Sequence, residues 1–307
     1  MQTILITGAN GFIGNYLIEQ LSAEYLVIAT GKGVCRFSFQ HENLFYRSMD
    51  FTDPEKVKII FDEFSPHFVI HCGAMSKPDD CELNKELAYL VNVQGTKILL
   101  ERSKDYGSFF IQLSTDFIFK GDKGMYMEED LPAPVNYYGE TKLQAEKLVK
   151  AYPFDWTIVR TVLVYGNPRN GRQNILSGSF KTLLEGKELR IFDDQVRNPT
   201  YVEDVVIAIY NIIKKRVTGI MHISGSDILT PYQMVVAMAN YLDLDATLVK
   251  RITAPDLVQP AQRPLKTGFD ISKAKAILDY QPTSFAEGLK KTFLKSSIMK
   301  DELPGPS

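Results

Sequence analysis

The stretch that most constrains this chain is its start. Ile4-Leu-Ile-Thr-Gly8-Ala-Asn-Gly11-Phe-Ile-Gly14 reads as an apolar strand, three glycines at three-residue spacing and the opening of an amphipathic helix. Glycines there allow a tight turn and let backbone N–H groups approach a phosphate, while the helix N-terminus adds partial positive charge. Directly after a first strand, the pattern predicts a dinucleotide-binding unit rather than a chance glycine-rich turn.

The segments that follow agree. Strand-like runs at Thr3–Thr7, Tyr25–Thr30, Phe68–Cys72, Phe109–Ser114 and Thr157–Arg160 alternate with helical patterns at Asn15–Leu21, from Pro54 (capped by Asp53) to Phe64, Lys85–Ser103 and Tyr138–Lys150. Such alternation predicts an α/β, Rossmann-type doubly wound parallel sheet. The second half is less regular, with a helix near Ser177–Glu185 and a strand at Ile220–Ser224. Thr200-Tyr-Val-Glu203 and Thr230-Pro-Tyr-Gln233 read as capping boxes opening helices that run to about Lys215 and Leu242. The expected layout is a dinucleotide-binding domain over 1–165, with 200–221 packed against it. A smaller C-terminal substrate-binding lobe is expected from 166–199 and 222–296, and a flexible tail over 297–307.

Composition removes several function classes. A formal charge of −2 over 307 residues gives no pull toward nucleic acid or an anionic membrane surface. No apolar run is long enough to cross a bilayer, and the N-terminus lacks a signal-peptide pattern. Lys-Asp-Glu-Leu at 300–303 is internal and is not read as a retention signal. Cys35, Cys72 and Cys81 form no Cys-x-x-Cys pair and leave one thiol over, which favours the cytoplasm. His41, His67, His71 and His222 lack metal-ligand spacing, so no metal is expected.

The usual carboxylate after the second strand, which favours NAD by binding the ribose, is missing. Ile28-Ala-Thr-Gly-Lys-Gly33 carries Lys32, with Arg36 nearby. These cations favour NADP(H), with NAD(H) as the alternative and two solvated loop cations as the bland reading. Asp50, in Asp50-Phe51-Thr-Asp53, is the candidate acceptor for the adenine amino group.

Tyr138 and Lys142 stand four residues apart, hence on one helix face. A lysine charge stabilises phenolate, so such a tyrosine can exchange a proton with a substrate oxygen near neutral pH. Tyr210 and Lys214 share the spacing but sit mid-helix among apolar residues and read as core and surface. Leu113-Ser-Thr-Asp116 ends a strand, where an open parallel sheet binds ligands, and Thr115 could hydrogen-bond a carbonyl or alcohol. Turn chemistry is its competing explanation.

These residues resemble the extended short-chain dehydrogenase/reductases, specifically the dTDP-4-dehydrorhamnose reductase group. The likeness runs through Gly8–Gly14, Asp50–Asp53, Val91-Asn92-Val-Gln-Gly95-Thr96 and Ser114–Phe119. It continues through Gly121, Glu129-Asp130, Pro132, Tyr138–Lys142, Phe192–Gln195, Pro199-Thr200 and Arg263-Pro264. It implies NAD(P)H-dependent reduction of a nucleotide-linked 4-keto-6-deoxy sugar, with Thr115, Tyr138 and Lys142 catalytic and Tyr138 the proton donor. The implied cofactor contacts are Gly8, Asn10, Gly11, Phe12, Ile13, Gly14, Asp50, Phe51, Cys72, Gly73, Ala74, Met75, Asn92, Tyr138 and Lys142. Ser76, Thr115 and Asp116 would face the sugar. Arg169, Arg172, Arg197, Arg263 and Lys266 each read singly as a solvated surface cation, with one or two of the five expected to meet its diphosphate, and a homodimer stays open.

The chain departs from the group at His71-Cys-Gly-Ala-Met-Ser76 and at Leu163, where rhamnose reductases tend to carry tryptophan; its single tryptophan, Trp156, lies elsewhere. Phe117 after Asp116 argues against a dehydratase, which places Glu there. Two alternatives remain: a nucleotide-sugar epimerase that retains NAD, and a non-catalytic NADP-binding regulatory subunit resembling the methionine adenosyltransferase β subunit.

Overall fold

A computed structural model describes residues 1–169 and 173–294. Seven strands form one sheet: β1 (Thr3–Thr7), β2 (Leu26–Gly31), β3 (Leu44–Ser48), β4 (Phe68–His71), β5 (Phe109–Thr115), β6 (Trp156–Thr161) and β7 (Gly219–Ile223). All neighbours run parallel in the order 3-2-1-4-5-6-7.

Alternating side chains serve two cores. Ile4, Ile6, Val27, Ala29, Phe68, Ile70, Phe109 and Ile111 enter one, which includes Leu17, Ile18 and Leu21 of helix Phe12–Ser22 and Val205, Ile209 and Ile212 of helix Val202–Lys215. Leu5, Ile28, Val69, Phe110 and Ile158 enter the other, with helices Pro54–Phe64, Gly95–Tyr106 and Tyr137–Lys150. Burial on both faces explains why these strands read as continuous apolar runs.

The order in which strands are added reverses between β1 and β4, where Thr7 lies between Thr30 and His71. The turn after β1 and the loops after β4 and β5 therefore share one edge, the position at which such sheets hold ligands. Beyond the main sheet, Leu189–Phe192 pairs with Val249–Ile252, and Val164–Tyr165 with Thr200–Tyr201. The first core continues into helix Pro231–Tyr241 through Met234, Val235 and Met238, and on to Phe269 and Phe285. Among the described residues, no helix is long and apolar enough to cross a membrane.

The two expected capping boxes separate here. Thr230 accepts from Gln233 N–H at 3.1 Å, and the Gln233 side chain accepts from Thr230 N–H at 2.8 Å. Thr200 does not cap. It lies in a strand pair, its hydroxyl donates to the Val162 carbonyl at 2.5 Å, and the helix starts after Tyr201 with no side-chain cap. The expected helix Lys85–Ser103 is also broken, into Lys85–Tyr89, a π-turn at Leu90–Gln94 and helix Gly95–Tyr106. A π-turn holds an extra residue and re-aims the side chains on it. Here it carries the buried Asn92, which reaches Met75 and Thr141. The tail expected over 297–307 lies outside the described residues.

Candidate functional site

The strand ends open into a cleft of about 840 Å³. Gly8, Asn10, Gly11, Phe12, Ile13 and Gly14 line one part; Phe51, Cys72, Gly73, Ala74, Met75 and Ser76 line another; Thr115, Asp116, Tyr138 and Lys142 line a third. The structure thus gathers residues from five separate stretches of chain. Tyr210 and Lys214, by contrast, both bind Glu24 on the outer surface, at 2.5 and 2.7 Å.

The opening turn is tight because glycine permits it. Gly8 has φ +69°, and a Cβ there would lie 2.7 Å from the Gly73 backbone nitrogen. At Gly14 a Cβ would lie 2.5 Å from the Gly8 carbonyl oxygen. Helix Phe12–Ser22 begins at Gly11 with no side-chain cap and no acidic residue in its first turn. Its first N–H groups and its dipole therefore face the cleft side, which suits the pyrophosphate of a dinucleotide.

Two expected contacts serve from behind. Asp50 does not line the cleft. It pairs with Lys32 at 2.7 Å and accepts from Thr52, and these bonds hold its carboxyl below the usual range although burial pulls the other way. Asn92 accepts from Met75 N–H at 2.8 Å and donates to the Met75 carbonyl at 3.0 Å and the Thr141 hydroxyl at 2.9 Å, fixing the loop after β4 to the helix of Tyr138. Its location on a π-turn explains why helical spacing alone did not reveal this role.

In the part lined by Tyr138 and Lys142, Asn136 caps helix Tyr137–Lys150 by accepting from Gly139 N–H at 2.9 Å. Tyr138 is half-buried, its ring edge-on to Phe117 at 5.8 Å. Lys142 is buried, and its Nζ donates to the Leu113 carbonyl at 2.7 Å. Burial pulls its pKa down to about 8, against the opposing charge of Glu146. Cys72 is a neutral thiol, pushed up to about 12 by burial. Thr115 donates to Asp116 at 3.1 Å and accepts from Phe117 N–H at 3.2 Å. Burial raises the Asp116 pKa, while Arg197, Thr267 and Thr115 oppose that rise.

Behind this part lies a buried network that motif reading missed. Glu146 takes a bidentate pair from Arg160 at 2.9 and 2.7 Å and a bond from Ser114 at 2.6 Å. Arg160 also meets His222 at 3.2 Å, whose other nitrogen faces the Tyr126 carbonyl at 3.0 Å. Glu146 stands four residues past Lys142, so its place on the same helix face was readable; its partners were not.

The expected diphosphate cations are placed otherwise. None of Arg169, Arg197, Arg263 and Lys266 lines the cleft. Arg169 pairs with Glu19 at 2.6 Å and lies over the Tyr16 ring. Arg197 is buried beside Asp116, and Arg263 binds Asp79 through two bonds of 2.5 and 2.7 Å. Lys266 is held by its backbone to Gly121. Arg172 lies outside the described residues. Each pinning carboxylate lies far away in sequence, so local charge reading could not assign them. Leu163 lines the cleft with φ +36°, beside Thr161, Val164 and residues 173–175, which motif reading had not singled out for the site.

Comparison with known proteins agrees with this geometry. The chain is 30% identical to methionine adenosyltransferase 2 subunit beta of Mus musculus, over 94% of this chain and 86% of that protein. It is 31% identical to the probable low-salt glycan biosynthesis reductase Agl14 of Haloferax volcanii, over 91% and 93%. The solved dTDP-4-dehydrorhamnose reductase from Bacillus anthracis, in complex with NADP, superposes with a TM-score of 0.86 at 28% identity, covering 96% of this chain and all of that one. Residues 1–298 match the family described as RmlD substrate binding domain. With the strand-end cleft, the glycine turn and a match over nearly its whole length, this chain belongs to the RmlD substrate-binding-domain family.

Proposed function

We propose that this chain is an NAD(P)H-dependent oxidoreductase that reduces the keto group of a nucleotide-linked 4-keto-6-deoxy sugar. One observation carries the reading: a single cleft is lined by the Gly8–Gly14 turn at one part and by Thr115, Tyr138 and Lys142 at another. The likeness to the NADP-bound reductase and to the glycan biosynthesis reductase supports it. In this reading 166–199 and 222–296 form the substrate lobe.

The turn and the uncapped helix N-terminus would hold the pyrophosphate, and Phe51 with Cys72–Met75 would border the rest of the dinucleotide. A nicotinamide held there would supply the hydride for the carbonyl carbon. Tyr138 gives its phenolic proton to the carbonyl oxygen, so ketone, hydride and proton balance to the alcohol. Lys142, cationic at neutral pH, stabilises the phenolate that remains. Oxidation of NADPH and NADH, assayed against a panel of dTDP- and GDP-linked 4-keto sugars, tests the reading. Tight cofactor binding without turnover on any member would sink it.

Two predictions concern the cofactor. In Gly14→Ala the new methyl group forces the turn away from Gly8, so NADPH affinity should drop by roughly 10- to 100-fold, the equivalent of ordinary overpacking. Fluorescence titration measures this, and an unchanged Kd would remove the turn from the binding site. Lys32 and Arg36 line the cleft beyond Gly31, and Lys32 is already paired with Asp50. Arg36 is therefore the better partner for a 2′-phosphate. Arg36→Ala should weaken NADPH by about 10-fold or more, the worth of a charge-assisted hydrogen bond, and leave NADH unchanged. Equal effects on both would contradict an NADP preference.

A second reading, a non-catalytic dinucleotide-binding subunit, draws on a specific observation. The cations Arg169, Arg197 and Arg263 are committed inside the chain rather than offered to a diphosphate. The identity to the methionine adenosyltransferase β subunit points the same way. The substrate panel decides between the two readings.

A further inference from the structure

The loop after β2 brings Lys32 and Arg36 to the cleft, yet residues 32–36 are exposed and form neither helix nor strand. Gly33, at φ +74°, lets the chain turn there. The backbone of an exposed loop can bond to water, so it keeps one shape only where the protein's own groups grip it. Two side chains grip this one, from the glycine turn after β1 and from β3.

The first is Asn10. Its Nδ2 donates to the Val34 carbonyl at 3.0 Å and to the Tyr46 hydroxyl at 3.0 Å, and its Oδ1 accepts from Arg36 N–H at 2.9 Å. A carbonyl only accepts and a backbone N–H only donates, so these partners fix which way the amide faces. Gly31 makes room for it, since a Cβ there would lie 2.9 Å from Asn10 Nδ2. The second is Tyr46, on the edge strand of the sheet. Its hydroxyl faces the carbonyls of Gly31 at 3.0 Å and Gly33 at 2.9 Å, and its ring stands edge-on to Phe37 at 5.8 Å. Asn10 lines the cleft, whereas Tyr46 stands behind the loop and outside that lining.

We propose that Asn10 and Tyr46 are positioning residues for cofactor choice, a reading that rests on the dinucleotide site and the Arg36 assignment above. They lock the turn that would take the pyrophosphate and the loop that presents Arg36 into one piece. A single ribose separates the pyrophosphate from the 2′-phosphate in NADPH, so a loop held at a set distance from the turn meets both at once. With the clamp cut, Arg36 keeps its charge but must be ordered as the dinucleotide binds, and that cost falls on affinity. NADH has no 2′-phosphate, draws nothing from Arg36 and does not register the change.

The experiment is fluorescence titration of NADPH and NADH against the full chain, with Tyr46→Phe, Asn10→Ala, Arg36→Ala and the Tyr46→Phe/Arg36→Ala double variant. Melting temperatures without cofactor confirm folding. Tyr46→Phe removes one hydroxyl from behind the loop. It should raise the NADPH Kd by about 3- to 10-fold, the worth of one or two neutral hydrogen bonds, with NADH within about 2-fold. Asn10→Ala cuts more of the clamp and should weaken NADPH further, again more than NADH. In the Arg36→Ala background Tyr46→Phe should add nothing, because the hydroxyl acts through the placement of that side chain. A hydroxyl that merely supports the fold would lower the melting temperature without moving the ratio of the two Kd values. An unmoved ratio in Tyr46→Phe or Asn10→Ala, or additive losses in the double variant, would overturn the proposal. A selective loss in Arg36→Ala with none in Tyr46→Phe refutes this proposal alone. No selective loss in Arg36→Ala refutes the Arg36 assignment and the proposal with it, and a parent that binds neither dinucleotide sinks the site itself.

Discussion

Tyr138→Phe should lose at least about 10²-fold in turnover while binding NADPH within a few-fold of the parent, because a positioned general acid is worth some 10²- to 10⁴-fold. The substitution removes one oxygen atom. The edge-on contact with Phe117 needs only the ring, and the Lys142 bond to the Leu113 carbonyl does not involve Tyr138. The cleft wall therefore survives, and the loss should fall on kcat rather than on cofactor affinity. Tyr210→Phe is the matched control: the same spacing to a lysine, but a hydroxyl bound to Glu24 at the surface, and no effect on turnover is expected. Equal rates for Tyr138→Phe and the parent would remove Tyr138 from the mechanism and strengthen the non-catalytic reading.

Glu146→Ala should destabilise the fold by about 3–5 kcal/mol, because it strands a buried guanidinium without its counter-charge. Glu146 and Arg160 are both essentially inaccessible, at 0% and 1% exposure, so water cannot replace the lost partner. Ser114 loses its acceptor as well. Arg160 retains His222 and, more weakly, the Glu128 carbonyl, neither of which carries a compensating negative charge. Glu146→Gln keeps the shape and some of the hydrogen bonds, so it should cost less. Urea unfolding gives the check: the midpoint should fall with the slope unchanged. A midpoint unmoved in Glu146→Ala would mean that Arg160 finds solvent. The effect should reach the site too, since Glu146 supports the charge on Lys142.

Legibility from the sequence followed the range of the interaction. The strand at Thr3–Thr7, the helix from Pro54 to Phe64 with its Asp53 cap and the Thr230 capping box rest on contacts within a few residues, and they stand where periodicity and cap chemistry place them. Thr200 failed as a cap although its local pattern was as good. A carbonyl 38 positions away, that of Val162, holds its hydroxyl. The helix expected over Lys85–Ser103 failed for a similar reason: Asn92 satisfies a loop 17 residues back and a hydroxyl 49 residues ahead, and a π-turn carries it.

The candidate site divides the same way. Gly8–Gly14 and the Tyr138/Lys142 spacing were visible because each is a short-range geometric requirement, a tight turn and one helix face. The partners of the cations were not legible because formal charge in a sequence does not say which carboxylate answers it. Asp79 lies 184 positions from Arg263, yet the fold brings them together.

By itself, then, the sequence determined a parallel doubly wound sheet, the dinucleotide turn at its first strand and the residue types able to move a proton. Tertiary structure alone decided that these share one cleft, that Asp50 and Asn92 work from behind it, that Asp116 is engaged on both oxygens and that the arginines are pinned. The physical reason is that alternation, turns and caps are set by neighbours along the chain. Burial, by contrast, decides which polar group must find which partner, and those partners come from anywhere in the fold.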